Sequence, residues 1–204
     1  MSQSVDEDEH SLEMHLPYIY KMLSKTHGND PSSFPPLIPI MVGNTSYATE
    51  GHLGRILAPY LSDPTTAFVI SSDFAHWGLR FRYTNYRQPG SPTVSLTAGS
   101  ASKAVSASYP IHAHIKAVDF ECMGACESGL HAAWSESLEE NGNTVCGRHP
   151  IGVMMAAVEV VRKQSGGGQE RGNGGFNFVR YERSGEVVKV SESSVSYASA
   201  FAVM

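Results

Sequence analysis

The sequence contains few cysteines, namely Cys122, Cys126 and Cys146 in a chain of 204 residues. Three thiols cannot all pair with one another, and nothing else in the sequence indicates an oxidising compartment, so reduced thiols are expected. The N-terminal segment MSQSVDEDEH also lacks the basic region and the apolar region of a secretory signal. We therefore expect an intracellular protein, located in the cytoplasm and with the nucleus as an additional location.

Long apolar runs and clusters of basic residues are also missing. The apolar run of residues 151–161 is interrupted by Glu159 and is shorter than the roughly 20 residues that cross a bilayer. The net charge is −5 and the lysines and arginines do not cluster, whereas a nucleic-acid-binding surface must neutralise several phosphates. The sequence therefore predicts neither a membrane span nor a nucleic-acid partner. A content of 41% hydrophobic and 17% charged residues is typical of a globular domain.

Hydrophobic periodicity predicts alternating helices and strands, and hence the α/β fold class. Leu12, Leu16, Ile19 and Leu23, for example, recur at spacings of three and four and so share one helical face. Helices are predicted over residues 11–23, 49–61, 111–126, 128–138 and 150–163, and strands over residues 35–43, 67–70, 176–183, 187–190 and 195–203. The helix of residues 49–61 is expected to bury Leu53, Ile56, Leu57, Tyr60 and Leu61. Residues 88–108 and 164–175 are predicted to be flexible loops within a single domain of residues 1–204.

The segment SSDFAHWG places Asp73 and His76 three residues apart, just after the predicted strand of residues 67–70. The C-terminal edge of a sheet is where open α/β folds usually carry their chemistry. A carboxylate close to an imidazole suits general acid/base catalysis or metal ligation. The alternative is a turn in which Asp73 caps backbone amides and His76 is a surface residue. On these residues alone, the second interpretation is favoured.

The segment CGRHP contains a thiol just before a predicted helix. A thiolate at Cys146 would be stabilised by the helix dipole and by Arg148, which favours a metal ligand or a reactive thiol. A lone cysteine is more often a small buried apolar residue. Cys122 and Cys126 lie four residues apart on a predicted helix, and without a second pair of ligands we expect them to pack in the core.

Two further segments contain charged side chains that suit binding. The acidic N-terminal segment carries His10 and His15, which are a weak metal signal, although acidic residues before a helix also complement its positive end. In LRFRY, Arg80 and Arg82 would point to one side of a strand. In one interpretation the two arginines bind a carboxylate, a phosphate or a phosphotyrosine. In the other they form a solvated face. The residues alone favour neither interpretation.

Four blocks of the sequence, taken together and in this order, resemble the Memo family. They read DEDEHSLEMHLPY, SSDFAHWGLRFRY, NTVCGRHPIGV and SSVSYASAFAV. Memo proteins are similar in fold to the class III extradiol dioxygenases, so the resemblance implies a central mixed sheet flanked by helices. Two further metal-binding histidines of the family lie N-terminal to the matched region. The chain is therefore expected to be a truncated Memo-like domain that corresponds to the C-terminal part of the family.

The resemblance also implies roles for particular residues. His76 matches the active-site histidine of the family, and Asp73 matches its neighbouring carboxylate. Cys146 matches the cysteine that stands where the dioxygenases have a carboxylate ligand. Cys146 and His76 are thus the expected metal ligands, and His76, Asp73 and His10 are the candidates for a vestigial catalytic pocket. The expected cofactor is iron or copper, bound weakly by this chain.

The resemblance further implies that Arg80 and Arg82 lie near the pocket rim and bind a ligand. The family is linked to signalling and cell motility, so a phosphotyrosine-containing peptide or another signalling protein is the expected partner. We expect a metal-binding or redox-related signalling protein that is not an enzyme in this form. The alternatives are a ring-cleaving non-haem iron dioxygenase and an inactive fragment that acts only as an interaction partner.

Overall fold

A computed structural model describes residues 9–100, 104–164 and 175–203 of the chain. Helices and strands both occur, which confirms the α/β fold class. The chain forms two compact units, Met1–Gly43 and Asn44–Met204. Within the described ranges, no helix is long and apolar enough to cross a membrane.

The described residues of the first unit form one α-helix, α1, at Leu16–His27, preceded by a 3-10 turn at Glu13–His15 and followed by another at Pro31–Ser33. Pro17 lies in the first turn of α1, where a proline costs no hydrogen bond. The described residues of this unit include no buried side chain. The predicted strand at residues 35–43 is wrong, because a strand requires ladder partners for its amides and carbonyls and these residues form no ladder with any described residue.

The described part of the second unit contains four α-helices. They are α2 at Tyr47–Leu61, α3 at Ile111–Glu127, α4 at His131–Asn141 and α5 at Arg148–Gln164. The side chain of Ser46 caps α2 by accepting a hydrogen bond from the amide of Thr49, which satisfies one of the free donors of the first turn. Helix α4 begins three residues later than predicted, because Ser128–Leu130 form a turn in which Gly129 has a φ of 65°.

The buried face of α2 differs from the predicted one. Glu50, Gly54 and Ala58 are buried, whereas Ile56 is 51% exposed and Tyr60 is 58% exposed. A Cβ atom added to Gly54 would lie 2.6 Å from the Cβ of Ala156 on α5. Small residues therefore allow α2 and α5 to approach closely, and this contact selects which face of α2 is covered.

The strands of the second unit pair in antiparallel fashion. The strands are β1 at His76–Trp77, β2 at Asn85–Tyr86, β3 at Val94–Ser95, β4 at Asn177–Arg183 and β5 at Ser194–Phe201. A three-stranded sheet has the order β1-β5-β4, and β2 pairs with β3 in a separate hairpin. The predicted strands at residues 67–70 and 187–190 are wrong. The segment that follows residues 67–70 first bonds to the sheet at Phe74, whose amide donates to the carbonyl of Ser196 at 2.8 Å.

The core holds the segment around β1 from both sides. Phe74 packs into one apolar cluster with residues of α3, α4 and α5. Ala75 and Trp77 pack into a second cluster with Tyr86 and the start of α3. Because its neighbours are divided between the two clusters, the backbone that carries His76 is fixed by apolar packing.

The two predicted loops are described only in part. Residues 101–103 of the first loop and residues 165–174 of the second lie outside the described residues. The described portion of the first loop contains β3 and the buried side chain of Leu96.

Candidate metal site

Asp73, His76 and Cys146 come together in the second unit. One ligand atom from each residue lies within 4.8 Å of the others, and this is the group of possible metal ligands found among the described residues. Asp73 and His76 flank the buried residues Phe74 and Ala75, while Cys146 lies between α4 and α5. The convergence expected from the sequence is therefore present in the fold, and the role of these residues as ligands stays a prediction.

The two segments of the site are joined by hydrogen bonds between residues far apart in sequence. The amide of Asp73 donates to the Sγ of Cys146 at 3.2 Å, across 73 positions of the chain. The amide of Gly147 donates to the Oγ of Ser72 at 3.0 Å. A Cβ atom at position 147 would collide with the side chain of Ser72, so only glycine permits this approach. These contacts fix the position of the sulfur, and cysteine binds metals through this atom.

The orientation of the His76 ring is set by carbonyl groups. Its Nδ1 lies 3.0 Å from the carbonyl oxygen of Phe74 and 3.1 Å from that of Thr144. Carbonyl oxygens only accept hydrogen bonds, so Nδ1 carries the proton. The lone pair of the neutral ring is then on Nε2, which lies 3.9 Å from Oδ2 of Asp73. This is the arrangement of a metal-binding histidine, whose other nitrogen donates to a carbonyl or a carboxylate.

Thr144 holds His76 at a second point. The amide of His76 donates to Oγ1 of Thr144 at 2.8 Å, and this hydroxyl lies 3.2 Å from the carbonyl of His76. The site is open, because the side chains of His76 and Asp73 are 22% and 40% exposed and Cys146 is exposed. The site can therefore exchange ligands with solvent while its backbone is held firmly.

Asp119, which the sequence interpretation missed, lies behind this site. It is 0% exposed and accepts hydrogen bonds from the amide of Ala75, the Nδ2 of Asn143 and the hydroxyl of Tyr181. Burial raises the pKa of this carboxyl, and the hydrogen bonds from its neighbours oppose that rise. The sequence did offer a signal for this residue, namely an aspartate on the apolar face of a predicted helix. A buried aspartate is almost never left without hydrogen-bonding partners.

Arg80 and Arg82 do not lie on a strand, so their predicted common orientation is wrong. Leu79–Phe81 form a 3-10 turn, and Arg82 follows with a left-handed φ of 56°. Gly78, just before the turn, has a φ of 129° and packs so closely against Glu192 and Ser193 that a Cβ atom would collide. Both arginines are exposed, and the guanidinium of Arg80 lies 4.5 Å from the centre of the Phe81 ring. Their predicted ligand binding is untested.

His10 lies in the first unit, where its side chain is exposed and its carbonyl accepts a hydrogen bond from the amide of Met14 at 3.1 Å. Its predicted place in a catalytic pocket is untested. Cys122 and Cys126 are buried in the apolar core, as expected. Burial raises the pKa of both thiols, so neither is suited to act as a nucleophile.

A second polar cluster, also missed from the sequence, centres on Glu50. Its two carboxylate oxygens lie 2.6 Å from Nε2 of His131 and 2.6 Å from Nδ1 of His149. Burial raises the pKa of Glu50, but the hydrogen bonds and charges of the two histidines outweigh burial and lower the pKa. Tyr47 stacks on His131 at a ring-centre distance of 4.1 Å. This cluster connects α2 to the first turns of α4 and α5.

Comparison with known proteins identifies relatives of this chain. The chain is 38% identical to Protein MEMO1 of Xenopus tropicalis over 198 residues and 36% identical to Protein MEMO1 of Homo sapiens. In both cases the match covers 97% of this chain and 57% of the relative. The Protein memo-1 homolog of Caenorhabditis elegans is 35% identical, with 98% of this chain and 49% of the relative covered.

The chain thus spans about half the length of the curated relatives it matches. The family model described as a Memo-like protein matches residues 1–201. This match extends over nearly the whole sequence, including both units and the candidate site. The chain therefore belongs to the Memo-like family.

Proposed function

We propose that Asp73, His76 and Cys146 contribute to a site for iron or copper in a Memo-like protein that acts in metal-dependent signalling and does not cleave aromatic rings. The observation that carries this proposal is the orientation of His76. Its Nδ1 donates to carbonyl groups, so its Nε2 is available beside the carboxylate and the thiol.

The donor set fits a transition-metal ion. A thiolate and an imidazole are ligands that copper, zinc and iron accept, and a carboxylate adds a harder donor. Cys146, His76 and Asp73 would hold the ion, and a bound ion would supply a Lewis-acidic or redox-active centre. The residues themselves orient the ligands, since the carbonyls of Phe74 and Thr144 fix the His76 ring and the amide of Asp73 fixes the sulfur.

Binding by this chain alone is expected to be weak. The cluster offers three protein donors, and two of their side chains are substantially exposed to water. The match to longer relatives supports the further proposal that ligands from outside the described cluster complete the site.

The donor set does not favour ring cleavage. The dioxygenases that the family resembles hold iron with two histidines and a carboxylate, whereas the described cluster contains one imidazole, one carboxylate and one thiol. A thiolate beside an oxygen-activating centre is itself open to oxidation. We therefore favour binding and signalling over catalysis.

The test is anaerobic calorimetry with Fe(II) and with Cu(I), using the purified chain. Saturable binding should be lost in His76→Ala and in Cys146→Ser. His52→Ala is the matched control, since His52 is an exposed histidine on α2 outside the cluster. Tight, stoichiometric binding that survives Cys146→Ser would contradict the proposed ligand set.

A second proposal, recognition of an anionic peptide, rests on the turn after β1. Arg80 and Arg82 are both exposed, and Arg82 has a left-handed backbone that non-glycine residues adopt at a cost. Phe81 lies between them in the sequence, and its ring centre is 5.2 Å from that of His76, so the turn lies beside one of the proposed metal ligands. A phosphotyrosine peptide would offer them a doubly charged anion.

Fluorescence anisotropy with a labelled phosphotyrosine peptide and its unphosphorylated form tests this second proposal. The preference for the phosphorylated peptide should disappear in the double variant Arg80→Ala, Arg82→Ala. It should persist in Arg55→Ala, which removes an exposed arginine from α2. Equal binding of the two peptides to the unaltered chain would refute it.

A further inference from the structure

One buried oxygen atom, Oδ1 of Asp119, connects the segment that carries His76 to the segment that carries Cys146. Oδ1 of Asp119 accepts the amide of Ala75 at 3.0 Å and the Nδ2 of Asn143 at 2.9 Å. Ala75 directly precedes His76. Asn143 directly precedes Thr144, which contacts His76 through both its hydroxyl and its carbonyl. A single carboxylate on α3 therefore ties together both segments of the site.

The other oxygen of Asp119 has a different partner. Oδ2 accepts the hydroxyl of Tyr181 on β4 at 2.8 Å, and this hydroxyl also lies 3.2 Å from Oγ of Ser196 on β5. These contacts connect α3 to the sheet and do not include residues 143–146. The carboxylate thus has one oxygen facing the site segments and one oxygen facing the sheet, so the two contributions can be separated by mutation.

The side chain of Asn143 indicates that these donors are required. Its Nδ2 donates to Asp119 and lies 3.4 Å from Sγ of Cys122, while its Oδ1 is buried without a hydrogen-bond partner. Rotating the amide would not help, because an oxygen would then face the carboxylate of Asp119. A buried polar atom without a partner is unfavourable, so this asparagine is tolerated for its donors. Through this hydrogen bond, Asn143 connects Asp119 to the segment that carries Cys146.

We propose that Asp119 is a positioning residue of the metal site, acting through Ala75 and Asn143 on the spacing between His76 and Cys146. This inference rests on the proposed metal function. The metal would contact neither Asp119 nor Asn143. Both residues would instead determine whether the imidazole and the thiolate can bind the same ion.

The expected effect is on metal affinity. Losing a partner that orients metal ligands typically lowers affinity about 10- to 100-fold, and we expect this range for Asp119→Ala and Asn143→Ala. Asp119→Asn should restore binding to within about threefold of the unaltered chain. Its remaining oxygen can accept both N–H donors, while its amide group can donate to the hydroxyl of Tyr181.

Two control variants separate positioning from general destabilisation. Tyr181→Phe removes the donor to Oδ2 and leaves the donors to Oδ1 in place. Val118→Ala truncates a buried neighbour on the same helix and removes no hydrogen bond to Asp119. Both variants should retain the affinity of the unaltered chain, even where they unfold at a lower temperature.

The experiment measures Co(II) affinity under anaerobic conditions together with the thiolate-to-cobalt charge-transfer band, which reports coordination by Cys146. Asn143→Ala should weaken both the Co(II) affinity and the charge-transfer band. This variant keeps Asp119 and its other donors, so it tests the positioning role even if Asp119→Ala does not fold. If Asn143→Ala and Asp119→Ala bind like the unaltered chain, or if Val118→Ala loses as much affinity as Asn143→Ala, the positioning role is wrong. If the unaltered chain shows no band that depends on Cys146, the proposed metal function is wrong and this inference fails with it.

Discussion

Replacing Glu50 by alanine should strongly destabilise the second unit. The Glu50 side chain is 8% exposed, and its oxygens contact His131 and His149 at 2.6 Å each. A hydrogen bond to a charged group contributes about 1.5–3 kcal/mol, so two such bonds contribute about 3–6 kcal/mol. Removing one partner of a buried ion pair typically costs about 3–5 kcal/mol. We therefore expect Glu50→Ala to lower the free energy of unfolding by about 3–5 kcal/mol at pH 7.

The pH dependence of this loss identifies its cause. The pKa of Glu50 is lowered in the folded protein from its ordinary value of 4.5. Its ionised form therefore contributes stability that is fully present above pH 4.5 and is lost as the pH falls through the folded pKa. The difference between the unaltered chain and Glu50→Ala should be constant just above pH 4.5 and should shrink below it.

Urea unfolding followed by tryptophan fluorescence is a suitable assay. Trp77 and Trp134 are both buried in the second unit, so their emission reports its unfolding. Glu139→Ala is the matched control, because Glu139 is an exposed glutamate on α4 and its removal should change stability by less than about 0.5 kcal/mol. A loss below about 1 kcal/mol for Glu50→Ala, or a difference that grows in acid, would refute the reasoning.

Three further predictions concern packing, helix propensity and chemistry. Gly54→Val should destabilise the second unit by about 1–3 kcal/mol in the same urea assay, because its side chain would overlap α5; unchanged stability would contradict the close contact. Gly124→Ala should instead stabilise it by about 0.5–1 kcal/mol, since position 124 on α3 has open space around it, and a loss of stability there would show that this space is absent. With added Fe(II) and a catechol, oxygen uptake should equal that of a protein-free control, and uptake abolished by His76→Ala would show that the donor set supports ring cleavage after all.

Local features of the sequence were sufficient to predict most helices, and the family resemblance pointed to the residues of the candidate metal site. Helix α3 was predicted to within one residue of its observed bounds, because its apolar residues recur with the period of a helix. Asp73, His76 and Cys146 were identified from short motifs and a family resemblance. Such signals lie within a few neighbouring residues, so they are visible without knowledge of the fold.

Contacts between distant segments were decided only by the tertiary structure. The strands predicted at residues 35–43 and 67–70 have the right composition, yet pairing depends on a partner strand, and no local pattern specifies one. Likewise, the face of α2 that is buried depends on the small residues of α5 that meet Gly54. Asp119 and Glu50 were missed for the same reason: their partners lie 44 and 81 positions away. A buried carboxylate is tolerated only where the folded chain brings donors to it, and long-range packing decides where that happens.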